Sequence, residues 1–309
     1  PPKGFSYKTI KKVVAEVDLV YMCGCFNDYA INTLILKRFG QIKKPVVVAA
    51  MGLFSPMEFR LKYKKKKLFT SIFNLFGMFK NIYWSATSQM EIDEIKKQVW
   101  ARNEQFFIAE DLPRMVDDIP IHKEKESGEL SVVWISRIAP KKNLLGAINI
   151  LKQANMQINF TIYGPVHVEE YWKECKRELE KMPANIQWEY KGNVPSEKVV
   201  ETLKNHHVFL FPTLGENYGH VIQEAFSAGC PCILSDQTPW KNLESEIGRV
   251  YRLNDEEKFV LAIEEYAKMN TTEFQICTQK TLNYAIKNSN EKVMGTGYRI
   301  IFDELIDIS

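Results

Sequence analysis

The chain has 309 residues, of which 45% are hydrophobic and 26% charged, with a formal net charge of +3. Such usage excludes disordered, collagen-like and low-complexity proteins, and so small a net charge argues against a nucleic-acid partner. No uninterrupted apolar run of about 18 residues occurs, which excludes a membrane-spanning helix. Six cysteines in a chain of this length indicate reduced thiols in a cytoplasmic protein rather than a disulfide scaffold.

Charge is unevenly distributed along the chain. Residues 1–122 contain 19 Lys and Arg against 12 Asp and Glu, a net of +7, and the remaining residues contain 22 against 26, a net of −4. A length of 309 residues is typical of two domains. The change of sign favours two domains with different partners.

The first 120 residues alternate between strand and helix patterns. Apolar runs of strand length lie at residues 18–23, 45–50, 81–86 and 105–109. Helical periodicity lies at residues 7–17, 28–39 and 88–100. This alternation predicts right-handed crossovers and a parallel sheet, so we expect residues 1–120 to form one domain.

A basic cluster, residues 62–67 (KYKKKK), precedes an aromatic segment, residues 68–84. Four aromatic residues fall near one helical stripe of this segment: Phe69, Phe73, Phe76 and Tyr83. A basic cluster beside an aromatic face is typical of docking on an anionic membrane. Lys62–Trp84 is therefore a candidate for peripheral contact with the inner face of the membrane. A core-facing stripe with a solvated lysine run, or phosphate recognition by the lysines, explains the same pattern.

Residues 117–129 are polar and contain Pro120 and Gly128, and we interpret 121–129 as a linker. Strand patterns then recur at residues 131–135, 159–163, 186–190, 208–211 and 231–234. Helical patterns recur at residues 143–153, 168–181, 196–206, 219–228, 256–269 and 273–287. These predict a second domain over 130–290, with a C-terminal helix at 291–309 joining the first. The predicted fold class is α/β, with two Rossmann-like, doubly wound parallel-sheet domains.

The most informative segment is Phe211–Asp236, in which a buried strand leads into a loop and then a helix. The start of such a helix presents free backbone N–H groups that suit an anion such as phosphate. Glu224 lies at the margin of an apolar helix face, where a carboxylate needs a partner. The vicinal hydroxyls of a sugar would supply one, and a salt bridge or an ordinary position at the helix margin remains the alternative.

The sequence resembles the retaining glycosyltransferases of family 4, which have two Rossmann-like domains in the GT-B architecture. Their signature, P-x-x-x-E-x-x-G-x-x-x-x-E-A-x-x-x-G-x-P, is matched from Pro212 to Pro231. A strand followed by G/S-R-x-x-x-x-K-N/G is matched at residues 136–143, and two glycine turns at 163–165 and 192–194 agree with further elements. The resemblance covers most of residues 130–270.

The resemblance implies a nucleotide-diphosphate sugar as donor, bound in the second domain. Arg137 and Lys142 would neutralise its diphosphate, although such residues at a strand end are often solvated surface charges. Glu216 would bind donor-sugar hydroxyls, and Glu224 the ribose hydroxyls. Further donor contacts are implied for Gly164, Asn193, Val194, Asn217, Tyr218, Gly219 and His220. The base and the sugar stay open, with UDP and GDP both candidates.

The first domain resembles the family more loosely. Gly24 and Gly52 follow predicted strands and correspond to the acceptor side, but Cys23 stands where the family often has histidine. Ser85–Glu91 matches a common helix start in which Ser88 is the N-cap. The family opens with further strands before the position of Pro1, so the resemblance implies an incomplete first domain.

The implied function is metal-independent, retaining transfer of a hexose to a polysaccharide or a polyprenyl-linked oligosaccharide, without a cofactor. The sequence has no Asp-x-Asp motif, and its histidines lack zinc spacing. We expect the Cys-x-Cys pairs at 23–25 and 230–232 to be small buried residues. The alternatives are a catalytically inactive nucleotide-sugar-binding subunit of a glycosyltransferase complex, and a phosphorylase or epimerase on the same architecture.

Overall fold

The computed structural model describes residues 6–60, 62–112, 115, 116, 118–293 and 296–306. The chain divides into two compact units. Unit one comprises Pro1–Leu112 and Met294–Ser309, and unit two comprises Pro113–Val293. Within the described residues, each helix is too short or too polar to cross a bilayer.

Unit one contains a parallel sheet of four described strands in the order β1-β2-β3-β4. Its strands are β1 Val20–Cys23, β2 Val46–Ala49, β3 Tyr83–Ala86 and β4 Phe106–Ile108. Its helices are α1 Tyr7–Ala15, α2 Asp28–Arg38, α3 Pro56–Arg60, α4 Tyr63–Leu75, α5 Gln89–Lys96 and, from the end of the chain, α12 Thr296–Ile306. Asn27 and Ser88 begin α2 and α5 as N-caps, each accepting a backbone N–H on its side-chain oxygen.

Strand β2 alternates between two buried faces of this sheet. Val46 and Val48 pack with apolar residues of α2, α4 and α5. Val47 packs on the opposite face with Ile301 and Leu305 of α12. The sheet is thus covered by helices on both sides, which explains why all of β2 is apolar.

The structure corrects the predicted aromatic stripe. Phe73 is buried in the core of unit one, and Phe69 packs against that core. Phe76 lies just beyond the end of α4, and Tyr83 lies in β3. The four residues do not share a helix face, because the helix ends eight residues before Tyr83.

Unit two contains a parallel sheet of six described strands in the order β10-β9-β8-β5-β6-β7. Its strands are β5 Glu129–Ile135, β6 Gln157–Tyr163, β7 Ile186–Tyr190, β8 Val208–Phe211, β9 Cys232–Ser235 and β10 Gly248–Tyr251. Its helices are α6 Leu144–Leu151, α7 Glu169–Leu179, α8 Val199–Lys204, α9 His220–Ser227, α10 Glu256–Lys268 and α11 Thr271–Val293. The predicted α/β class with two parallel-sheet units is confirmed, although β10 was not predicted.

The strand order of unit two reverses beside β5. The chain passes from β5 outward through β6 to β7, then returns to place β8 on the other side of β5. In open α/β sheets, such a reversal leaves a crevice at the carboxyl ends of the two central strands, where ligands bind. The loops that follow β5 and β8 are therefore the first place to search for a site.

The segment 121–129, interpreted from sequence as a linker, packs within unit two. The ammonium group of Lys123 is buried and donates to the carbonyls of Leu203 and His206, beside the end of α8. The Lys125 ammonium group donates to two carbonyls at the end of α10. Both lysines thus satisfy backbone carbonyls at helix ends. Burial lowers the pKa of Lys123 and lowers that of Lys125 to about 8.

Two histidines, the buried His206 and the half-buried His207, follow α8 and contact β5. The ring of His206 hydrogen-bonds the Ser131 hydroxyl at 2.9 Å. His207 accepts the Ser131 backbone N–H at Nδ1 and donates from Nε2 to the carbonyl of Glu124. This pairing suits a neutral imidazole, and burial is the main cause that lowers the pKa of both histidines to about 4.

We expect these histidines to make unit two less stable in mild acid. Between pH 6.5 and about 4 the unfolded chain binds protons that the folded chain excludes, so the free energy of unfolding falls as pH falls. The slope is at most about 1.4 kcal/mol per pH unit for each histidine. Urea unfolding at a series of pH values should show this loss, and H206Q/H207Q should flatten it. An equal slope for wild type and H206Q/H207Q would contradict this prediction.

Candidate functional site

The loops after β5 and β8 bring together the predicted catalytic residues Lys142 and Glu216. Lys142 ends a short 3-10 helix, Pro140–Lys142, in the β5 loop, and Glu216 lies in the β8 loop. The two side chains form an ion pair, and they are only 13% and 11% exposed. Arg137 lies in the same β5 loop, with an exposed side chain. Residues predicted from separate motifs therefore meet at the reversal of strand order.

Hydrogen bonds fix the loop that carries Glu216. The Thr213 hydroxyl donates to the Lys141 carbonyl at 3.1 Å and lies 3.4 Å from Glu216 Oε1. The Ser235 hydroxyl, at the end of β9, donates to the Thr213 carbonyl at 2.6 Å. The Leu214 N–H donates to the same Lys141 carbonyl. These contacts join the loops after β5 and β8 to the end of β9 and hold the Glu216 carboxylate beside Lys142.

Asn143 joins the two central loops a second time. It adopts a left-handed backbone (φ +53°) and caps α6 by accepting the Gly146 N–H on its side-chain oxygen. Its side-chain amide donates to the Pro212 carbonyl at 2.7 Å. Asparagine tolerates this backbone conformation better than most residues, which accounts for the asparagine at position 143.

Gly164, at the end of β6, allows three strand ends to approach closely. A Cβ at this position would lie 1.7 Å from the Ser136 carbonyl oxygen, and φ is +132°. The Gly164 N–H donates to the Gly192 carbonyl at 2.7 Å, and the Tyr190 hydroxyl donates to the Gly164 carbonyl. Gly164 therefore positions the loop that begins with Ser136, and we assign it this role in shaping the site.

The start of α9 has the features expected of an anion site. Gly219 is its N-cap with φ +79°, and, as a glycine, it makes no side-chain capping hydrogen bond itself. The Tyr218 ring lies 4.9 Å from the His220 ring and 5.3 Å from the Trp240 ring, centroid to centroid. The Trp240 indole N–H donates to the Tyr218 carbonyl at 2.6 Å. Asn217, also predicted to contact the donor, is exposed in the same loop.

The remaining donor-side residues lie on α9 and after β7. Glu224 is half-buried on α9, between the buried residues Gln223 and Ala225. Asn193 and Val194 follow Gly192 at the carboxyl end of β7. Asn193 and Val194 therefore lie at the same edge of the sheet as Gly164. Thr213, Ser235, Trp240 and Tyr190 were not predicted, since their roles depend on strand order.

The predicted acceptor-side glycines lie at strand ends of unit one. Gly24 follows β1 with φ +79°, and Gly52 follows β2 with φ +71°. The buried carboxylate of Glu91, on α5, accepts the Gly52 N–H at 2.5 Å and the N–H and hydroxyl of Thr87. Glu91 thereby fixes the glycine loop at the carboxyl end of β2.

The cysteines differ in one respect from the prediction. Cys23 is exposed, because it ends β1 at the sheet edge, whereas Cys25, Cys230 and Cys232 are buried. Within the part of the chain that the structure describes, no three His, Cys, Asp or Glu side chains are grouped as metal ligands would be. The absence of a metal requirement stays a prediction.

The family model described as glycosyl transferases group 1 matches residues 116–288, more than half of the chain. The chain therefore belongs to this family, and its units have the parallel-sheet folds of the GT-B class. A search of curated proteins gave no match.

Among solved structures, the chain is similar to HepE from Anabaena in complex with UDP and glucose, with a TM-score of 0.67 and 14% identity over 93% of this chain and 80% of that one. The lipopolysaccharide glycosyltransferase WaaG matches with a TM-score of 0.59 and 14% identity over 94% and 95% of the two chains. An α,α-trehalose-phosphate synthase (UDP-forming) from Burkholderia vietnamiensis matches with a TM-score of 0.65 and 11% identity over 98% and 78%. At these identities the likeness shows the fold alone.

Proposed function

We propose that this protein is a retaining glycosyltransferase that moves a hexose from a nucleotide-diphosphate sugar to a saccharide acceptor without a metal ion. The observation that carries the proposal is the Lys142–Glu216 pair at the reversal of strand order, with Glu216 in the loop that leads to the start of α9. A cation, a carboxylate and the start of a helix are together suited to a diphosphate and a sugar.

Each part of the donor has a suitable partner in unit two. Lys142 and Arg137 would bind the diphosphate, with the N–H groups after Gly219. Glu216, released from its ion pair, would accept hydroxyls of the transferred sugar. Glu224 would accept the ribose hydroxyls. UDP is the first nucleotide to test, since HepE was crystallised with UDP and the Burkholderia synthase is named as UDP-forming.

The reaction would need little more than positioning and charge stabilisation. The bond between the sugar C1 and the diphosphate oxygen breaks, and its electron pair stays on the diphosphate. The acceptor oxygen bonds to C1 on the face that the diphosphate leaves, so the configuration is retained. The acceptor proton passes to the leaving phosphate oxygen. Arg137 and Lys142 would stabilise the charge that develops there.

On the acceptor side we propose a polysaccharide or a polyprenyl-linked oligosaccharide, bound at the Gly24 and Gly52 loops of unit one. WaaG, a glycosyltransferase involved in lipopolysaccharide biosynthesis, has a similar fold. We also propose contact between Lys62–Trp84 and the inner face of the membrane. An inactive nucleotide-sugar-binding subunit is the second candidate, and turnover of donor with mixed acceptors separates the two.

Calorimetric titration with UDP, GDP, ADP and CMP tests the donor site. We expect one nucleotide to bind preferentially and E224A to weaken it by about 1–3 kcal/mol, because ribose hydroxyls lose a charged acceptor. E174A removes an exposed glutamate from α7 and should have no effect. Binding that is equal for wild type and E224A would contradict the assignment of Glu224, and no binding at all would contradict the donor site.

A further inference from the structure

Helix α4 carries an apolar face that unit one leaves exposed. While Phe69 and Phe73 pack toward the core, another set of large apolar side chains points outward. Its members and their exposed fractions are Leu68 (62%), Ile72 (43%), Leu75 (75%) and, at the C-cap, Phe76 (59%). Spacings of four, seven and eight residues place all four on one side of the helix.

The segment around α4 is strongly basic. Residues 59–90 contain seven Lys and Arg and no Asp or Glu. Lys64 and Lys65 are exposed one turn before Leu68, on the side of the apolar residues. Lys66 does not belong to this set, since its ammonium group donates to the Glu58 carbonyl and lies over an aromatic ring in unit one.

A second element extends this surface. The Arg38 guanidinium, at the end of α2, donates to the Phe76 carbonyl at 2.9 Å. The next residue, Phe39, is 67% exposed. An apolar side chain on a neighbouring helix end thus lies beside the exposed end of α4. Scattered exposed apolar residues are ordinary on a soluble protein, but a contiguous group bordered by cations is not.

We infer that this surface, which we call the α4 face (Lys64, Lys65, Leu68, Ile72, Leu75 and Phe76), docks on an anionic lipid bilayer. Lysines beside exposed Leu, Ile and Phe match a surface that offers anionic headgroups above hydrocarbon. A second copy of the chain would bring two lysine clusters together without acids between them. The inference deepens the proposed function by giving the membrane partner a defined contact surface, but its test requires neither donor nor turnover.

Flotation of the full chain with lipid vesicles tests the inference. We expect the protein to float with phosphatidylcholine vesicles that contain phosphatidylglycerol, to stay unbound with phosphatidylcholine alone, and to be released by salt. K64Q/K65Q should weaken binding about fivefold for each lysine. L68S/L75S should weaken binding by roughly tenfold or more, because apolar burial in the bilayer is lost. K11Q/K12Q and V13S change exposed residues of α1 and serve as matched controls.

Binding that the α4 variants leave unchanged would overturn the inference, as would equal binding to neutral and anionic vesicles. A dimer that L68S/L75S dissociates, without vesicle binding by the wild type, would assign the α4 face to a second copy instead. UDP titration of each variant without vesicles shows that unit two is intact. Loss of nucleotide binding with normal flotation would refute the donor site and leave the α4 face standing.

Discussion

Replacing Lys142 by alanine should lower kcat/KM for sugar transfer about 10²- to 10³-fold. Two cations, Arg137 and Lys142, are predicted to bind the diphosphate, and Lys142 is the less exposed of them. Its ion pair with Glu216 already holds it at the crevice. In a site shielded from water, a fixed cation stabilises a leaving diphosphate far more than a solvated one. The measurement is release of nucleoside diphosphate from the donor with mixed acceptors, for wild type and K142A.

The variant also leaves the Glu216 carboxylate without its cation, which should reduce the free energy of unfolding by roughly 3 kcal/mol. K142A/E216Q separates the two effects, because it removes the stranded charge and should recover stability without activity. K152A is the matched control, since Lys152, the C-cap of α6, pairs with Glu178 of α7 at 21% and 30% exposure. Near-normal turnover by K142A would refute the role given to Lys142.

Replacing Gly164 by alanine should destabilise unit two by about 4 kcal/mol or more. The new Cβ would lie 1.7 Å from the Ser136 carbonyl oxygen, and a backbone atom of a central loop cannot move away as a flexible side chain can. The φ of +132° adds strain for any side chain. Urea unfolding measures the loss, and the nucleotide affinity of the folded fraction shows whether the Ser136 loop has moved.

Substitutions at two other glycines separate backbone strain from steric conflict in the expected loss of stability. Gly128 has φ +96° but, among the described residues, no heavy atom where its Cβ would lie, so G128A should show backbone strain alone, about 1–2 kcal/mol. Gly215 would place its Cβ 3.7 Å from Lys141 Cε, an ordinary contact, so G215A should change stability by less than about 1 kcal/mol. If G164A were as stable as G128A, the proposed steric conflict would be wrong.

Much of the fold could be predicted because buried strands are apolar throughout. Strand β8, Val208–Phe211, is fully buried and was predicted with the same bounds. Strand β10, Gly248–Tyr251, was not predicted, because it is only partly buried and its sequence has neither an apolar run nor an alternating pattern. The helix start at Ser88 could be predicted because a side-chain N-cap has a sequence signature.

The site could be predicted where one segment carries the chemistry, as in the loop from Pro212 to Gly219. Contacts that join separate loops could not be predicted from the sequence. The Lys142–Glu216 pair links residues 74 positions apart, and it exists only because β8 returns to lie beside β5. The inward lysines at 123 and 125 appear as solvated charges in the sequence, since nothing local indicates the helix ends that they reach.

The return of β8 to β5 also bears on how the donor site forms in time. Strands β5, β6 and β7 pair with neighbours in sequence, but the β5–β8 contact must close a chain loop of about 75 residues, and such non-local contacts slow folding. The loops that would bind the donor come together only when β8 pairs with β5. The nucleotide-binding site is therefore complete only late in folding. The ligand should therefore slow unfolding much more than it accelerates refolding.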